Sequence, residues 1–257
     1  MHFTFLIIVL AGAFFVAMLA FMELGRRIGL RHLSREGTGA QAGLGVVEGA
    51  VFGLLGLMLA FTFSGAARRF DDRRHLRVEE VNAIGTAWKR IDLLPAEAQP
   101  EIRDGFRRYV DASIAAYRKL PDLKAEEFAR ADAAADAVWA KAAAASGSKS
   151  GVPQSMLLLL PPMNEMFDIS TARRLATRIH PPVIIYVLLA IVALFGALLA
   201  GYGMAGSGGR SWLHMAAFSV SIATATYLIL DLEYPTMGLV RVSEFDRALV
   251  ELRATMK

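Results

Sequence analysis

The chain has 257 residues, of which 55% are hydrophobic and 20% charged, and its mean hydropathy is positive; that balance is too apolar for an ordinary soluble domain, so part of the chain must lie in lipid. No cysteine is present, which excludes disulfides and thiolate metal sites. The formal net charge of +4 would suit a nucleic-acid binder, but basic residues flanking membrane spans explain it more simply, and no nucleic-acid partner is expected.

Residues 3–22 form an uncharged run long enough to cross about 30 Å of hydrocarbon at 1.5 Å per residue. A cleaved signal would want a basic start, a shorter apolar core and a small-residue cleavage site, whereas this run starts MHFTF and ends MELGRRIG, so a retained first span is expected. Residues 25–45 then read as a polar connection with Arg26, Arg27, Arg31 and Arg35, loosened by Gly37, Gly39 and Gly43. The second span covers about 45–64 and continues, with no Pro and no loop signal, into the charged stretch through Arg77, so a membrane span fused to a helical stalk is predicted. Gly45, Gly49 and Gly53 recur every four residues and Gly56 follows, leaving one face without side chains where another backbone can approach. Glu48 precedes the most apolar part, and a carboxylate there should face protein or water.

Residues 65–180 are charged with helical periodicity and suffice for a domain of four helices. Leu76, Val78, Val81, Ile84, Trp88, Ile91 and Leu94 recur at near-helical spacing before Pro95. Ile102, Phe106, Tyr109, Val110, Ile114 and Tyr117 share the broad face of a second helix, and an Ala-rich third runs to Ala145 with Phe128, Val138 and Trp139 as anchors. In the fourth, Pro161 and Pro162 are expected to kink or split the helix. Val183–Met204 and Trp212–Leu230 are the third and fourth spans, the last carrying Ser219, Ser221, Thr224 and Thr226, whose hydroxyls can bond to their own backbone, a neighbouring helix or pore water. The expected fold is therefore an all-α membrane protein, divided as 1–64 for the first two spans, 65–180 for a cytoplasmic helical domain inserted between the second and third spans, 181–232 for the last two spans and 233–257 for a cytoplasmic tail. Twelve basic residues lie near the spans on the domain side and five on the other, Arg26, Arg27, Arg31, Arg35 and Arg210, which by the positive-inside rule places the domain and both termini in the cytoplasm.

Several ordered motifs, GLLGLMLAFTFSGAARRFDDRRHLRVEEVNAIGTAWKRIDLLP, LLPPMNEMFDISTARR, HPP and LDLEYPTMGLVRV, resemble a family of bacterial membrane proteins described as bestrophin-like, over nearly the whole chain. The resemblance implies a location in the bacterial inner membrane. Bestrophins proper are pentameric ion channels with two spans, a cytoplasmic helical portion, two more spans and a tail, and their second span lines the pore. Their pore-neck pattern of Ile, Pro and paired Phe and the animal calcium-binding acidic run have no counterpart here.

If five copies of the second span ring an axis, one stripe that would face it is Glu48, Phe52, Leu55, Leu59 and Thr62: a Glu48 ring would concentrate cations at the outer mouth and the apolar residues would form a constriction. The plainer reading is packing between spans. Gly45, Gly49, Gly53 and Gly56 are expected to seat a neighbouring span. Arg68, Arg69, Asp71, Asp72 and Arg73 stand where they would form a cytoplasmic vestibule or meet anionic headgroups, or else form a solvated face with pairs such as Asp71 with Arg74. Glu79, Glu80, Glu165, Asp168, Asp231 and Glu233 are oxygen ligands of the kind hard cations take, but no spacing reproduces a known loop, and salt bridges with Arg173, Arg174 and Arg241 are the expectation. No metal or other cofactor, and no catalytic residue, is expected. The function expected is a homo-oligomeric, pentameric channel whose partners are its own copies, the bilayer and small ions; the alternative is a non-conducting membrane scaffold or sensor working through the helical domain.

Overall fold

The computed structural model describes residues 2–36, 44–118, 125–146, 153–206, 211–234 and 243–257, and among them every regular element is helical. The helices are α1 (His2–Glu36), α2 (Leu44–Arg90), α3 (Gln99–Arg118), α4 (Ala125–Ser146), α5 (Pro153–Ala176), α6 (Val183–Gly203), α7 (Trp212–Glu233) and α8 (Ser243–Thr255), with short 3-10 turns at Ile91–Leu93 and Met204–Gly206. Four of them, α1, α2, α6 and α7, are long and apolar enough to cross a membrane. The chain divides into two compact units: Met1–Phe70 with His180–Val240, and Asp71–Ile179 with Arg241–Lys257.

In the unit holding these apolar segments, α1 and α6 pack through glycine. A Cβ added to Gly25 would lie 1.9 Å from the Leu198 carbonyl oxygen, and one on Gly201 would lie 1.9 Å from that of Met22. Two backbones can approach this closely only where side chains are missing. Residues 25–36, expected to be a connection, are instead helical and extend α1. Two features hold the extension: Glu23 pairs with Arg26 and Arg27 at three- and four-residue spacing, and Gly29, like Gly25, sits against α6, where a Cβ would meet the Tyr202 carbonyl at 2.8 Å. Met18, Met22, Ala197 and Met215 fill the space between α1, α6 and α7. Three α7 hydroxyls bond within the chain: Ser219 donates to the Met22 sulfur at 3.6 Å, while Ser221 and Thr226 donate to the carbonyls of Ala217 and Ile222.

The other unit packs through large side chains. Ile84, Trp88 and Ile91 meet Ile102, Phe106, Tyr109 and Val110 of α3, Val138 of α4, and Leu159, Met163 and Met166 of α5. Each such side chain stabilises by about 1.5–3 kcal/mol when removed from water. Helix α5 runs through Pro161 and Pro162 without being divided. Proline in a helix interior costs about 3 kcal/mol, partly because the i−4 carbonyl loses its donor. For Pro162 that carbonyl is Leu158's, and Arg90 Nη1 donates to it at 2.5 Å, while the burial of Leu159, Met163 and Met166 holds the flanking turns. Helix α8 and the residues after it pack into this unit: Leu249 and Met256 join the core, Arg107 Nε donates to the Met256 carbonyl, and Arg253 forms a two-pronged pair with Asp111 at 2.8 and 2.9 Å.

Candidate functional site

The apolar half of α2 presents two sides of different character. One is committed within the chain. Phe52 lies edge-on to Phe218 at 5.8 Å between ring centroids and against Gly196, where a Cβ would stand 3.4 Å from its ring. Leu55 is 2% exposed and packs with Leu189, Ala193 and Ile229, and Leu59 borders the same cluster. The Glu48 carboxylate lies against Gly203 at the end of α6, where a Cβ would come within 2.9 Å of Oε1. Thr62 Oγ1 donates to the Met58 carbonyl at 2.7 Å. The stripe Glu48, Phe52, Leu55, Leu59 and Thr62 is thus turned, through Phe52, Leu55 and Leu59, onto α6 and α7 of its own chain, and Leu55 has no free surface to offer a central axis. Gly196 and Gly203 of α6 leave the room that the Phe52 ring and the Glu48 carboxylate occupy.

The other side is open. A Cβ on Gly45, Gly49, Gly53 or Gly56 would meet nothing within 4 Å, so these glycines seat no span of the same chain. Beside them Leu57 is 52% and Phe61 70% exposed, at spacings of four residues from Gly53. Large side chains exposed on an apolar helix require lipid or another copy to cover them.

The charged stretch that follows is partly spent on internal contacts. In the first unit, Glu233 is fully buried at the end of α7 and receives Arg69 Nη2 at 2.8 Å and His180 Nδ1 at 3.0 Å; the His180 ring stacks on Tyr234 at 4.6 Å. In the second unit, Arg73 is buried and donates to the Ala176 and Ile179 carbonyls, which satisfies the end of α5. Of the five residues expected at a vestibule, Arg69 and Arg73 are therefore occupied, whereas Arg68, Asp71 and Asp72 are exposed, with Asp71 3.4 Å from Arg74. Glu80 is buried and pairs with Arg173 at 2.5 Å, the ion pair anticipated from sequence; the Arg173 guanidinium also lies 3.4 Å from the centre of the Tyr117 ring. Burial first, and then the Glu80 charge, pushes the Tyr117 hydroxyl up to about 12 and raises Tyr109 as well. Among the described residues, no three His, Asp or Glu side chains converge as a metal site would need. Arg241 lies outside the described residues.

A family model described as the Bestrophin-like domain matches residues 12–245. The chain belongs to the bestrophin-like family. Its fold is similar to that of crystal structures of a bacterial bestrophin homologue from Klebsiella pneumoniae. Two point variants of that protein each superpose with a TM-score of 0.69, one at 14% identity covering 94% of this chain and 97% of that one, the other at 16% identity covering 94% and 98%. A further structure of the homologue gives a TM-score of 0.64 at 16% identity, covering 93% and 98%. No curated protein matches the chain. Sequence reasoning found the bestrophin-like motifs that the family model matches and the apolar run of α2.

Proposed function

We propose that this bestrophin-like protein is a homo-oligomeric, pentameric ion channel in which α2 lines the pore, with the helical unit and both termini in the cytoplasm of a bacterial cell and the spans in its inner membrane. Membership of the bestrophin-like family supports the channel reading, and the excess of arginine beside the spans on the domain side supports the orientation. The observation that carries it is the open side of α2. Because Phe52 and Leu55 are consumed inside the chain, the axis is bordered by Leu57 and Phe61, and Gly45, Gly49, Gly53 and Gly56 let a neighbouring copy's helix approach. A ring of Leu57 and Phe61 gives an apolar constriction able to gate by dewetting. Arg68, Asp71 and Asp72, exposed on the next turns, face water at its cytoplasmic mouth.

Purified protein in planar bilayers is expected to give unitary currents, and Phe61→Ala to raise open probability. A well-assembled oligomer that passes no current would instead support a scaffold or sensor.

A further inference from the structure

Helix α1 is longer than a bilayer requires. Its 35 residues rise about 52 Å at 1.5 Å per residue, against about 30 Å of hydrocarbon, so the turns beyond Met22 reach headgroup level and past it. One side of this extension is closed: Gly25 and Gly29 sit against α6, and the His32 ring lies 6.1 Å from that of Tyr202. The other side gathers Leu24, Arg27, Ile28, Arg31 and Arg35 within an arc of roughly 100° at 3.6 residues per turn. All five are exposed, Leu24 at 48% and Ile28 at 42%, with the Arg27 side chain at 64%. Charge there is unbalanced. Glu23 answers Arg26 and Arg27, whereas Arg31 and Arg35 have no carboxylate partner among the described residues.

A face that interleaves arginine with exposed leucine and isoleucine matches one environment, the boundary where acyl chains meet phosphates. Aliphatic side chains and arginine stems lie along the chains while the guanidinium groups reach the phosphates, which they grip with paired hydrogen bonds. We propose that this strip, with Arg31 and Arg35 as its grip and Leu24 and Ile28 as its floor, docks the headgroup of an anionic phospholipid of the phosphatidylglycerol kind. A second copy presenting the same strip would bring like charges together, so the anionic lipid is the occupant that the charge favours. It also accounts for why arginines gather at this end of α1, opposite to the side the positive-inside rule would choose. The inference is independent of whether the protein conducts.

The test measures lipid preference of the full-length protein in mixed micelles of phosphatidylglycerol and phosphatidylcholine, by native mass spectrometry of retained lipid. The wild type is expected to enrich phosphatidylglycerol, and the doubly substituted Arg31→Ala, Arg35→Ala protein to lose that preference by about fivefold per arginine, while eluting as the wild type does because both side chains are exposed. The charge-retaining Arg31→Lys, Arg35→Lys protein is expected to keep more of it than the alanine protein. Unchanged enrichment in the alanine protein overturns the proposal. So does displacement of the lipid by glycerol phosphate at equal phosphate concentration, since the strip would then be an anion site with no need of a bilayer.

Discussion

The two units achieve close packing by opposite means. Around α1 and α6 the helices meet at glycine, with Gly25 and Gly201 each giving way to a carbonyl of the other helix; between lipid tails there is no hydrophobic gain from helix association, so contact distance and van der Waals fit decide. Around α3 and α5 the helices meet through Phe106, Tyr109, Met163 and Met166, and a buried ion pair, Glu80 with Arg173, lies among them. Bulk is the asset in water and an obstacle in lipid. Helix α2 carries both kinds of surface along its length: its apolar half has an open, glycine-rich side, while its charged half sets Ile84 and Trp88 in the core and leaves Arg68, Asp71 and Asp72 exposed.

The comparison breaks most easily at the glycines. Gly201→Leu or Gly25→Leu is expected to abolish recovery of folded, monodisperse protein in mild detergent, because the added side chain strikes backbone; ordinary overpacking costs about 1–3 kcal/mol, and a backbone shift adds to that. Gly49→Ala, with open space at its Cβ, is expected to leave the fold of each chain intact, so an equal loss there would erase the distinction between the two sides of α2. On the water side the largest effect falls on the ion pair. Glu80→Leu leaves Arg173 charged and buried and is expected to destabilise by about 3–5 kcal/mol, most of it recovered when Arg173→Met is added; denaturant melts followed by helical circular dichroism read both. A smaller loss, about 0.5–1.5 kcal/mol, is expected for Arg90→Met, which strips the exposed Leu158 carbonyl of its protein donor beside Pro162.

The last effect, a pH dependence, is felt only in alkali. Tyr117 is held near 12 in the folded protein by burial and by Glu80, against about 10 in an unfolded chain. The unfolded state therefore gives up its proton first, so the contribution of the neutral phenol is complete below about pH 10 and lost as pH rises towards 12. Tyr117→Phe is expected to flatten the fall in stability between those values, with Tyr109 supplying what remains. An unaltered slope would show that the hydroxyl is not buried as described.

Much of this was readable in the residues, and the parts that were not share a cause. Hydropathy gave the four spans, and the 3.6-residue spacing of Ile84, Trp88 and Ile91 and of Ile102, Phe106 and Tyr109 gave the covered faces of the helical unit, because each pattern is local. The side of α2 that faces inward was not local. Glu48, Phe52 and Leu55 form one periodic stripe and the four glycines another, and residues well over 100 positions downstream, among them Leu189, Ala193, Gly196, Gly203 and Ile229, pack against the first. The extension of α1 was hidden for the same reason: the arginines from Arg26 to Arg35 read as a polar connection, and the contacts of Gly25 and Gly29 with α6 that hold these turns are distant in sequence. That α5 is not split at Pro161 and Pro162 was hidden too, since the donor to the Leu158 carbonyl opposite Pro162 comes from Arg90 on another helix.

The central claim is that the open side of α2, and not the side packed on α6 and α7, borders an ion path shared between copies. With no cysteine in the chain, single cysteines at Leu55, Leu57 and Phe61 can be compared against a silent background. The measurement is bilayer current before and after a small charged thiol reagent. The account predicts block of the Leu57→Cys and Phe61→Cys channels and none of Leu55→Cys; block confined to Leu55→Cys would contradict it.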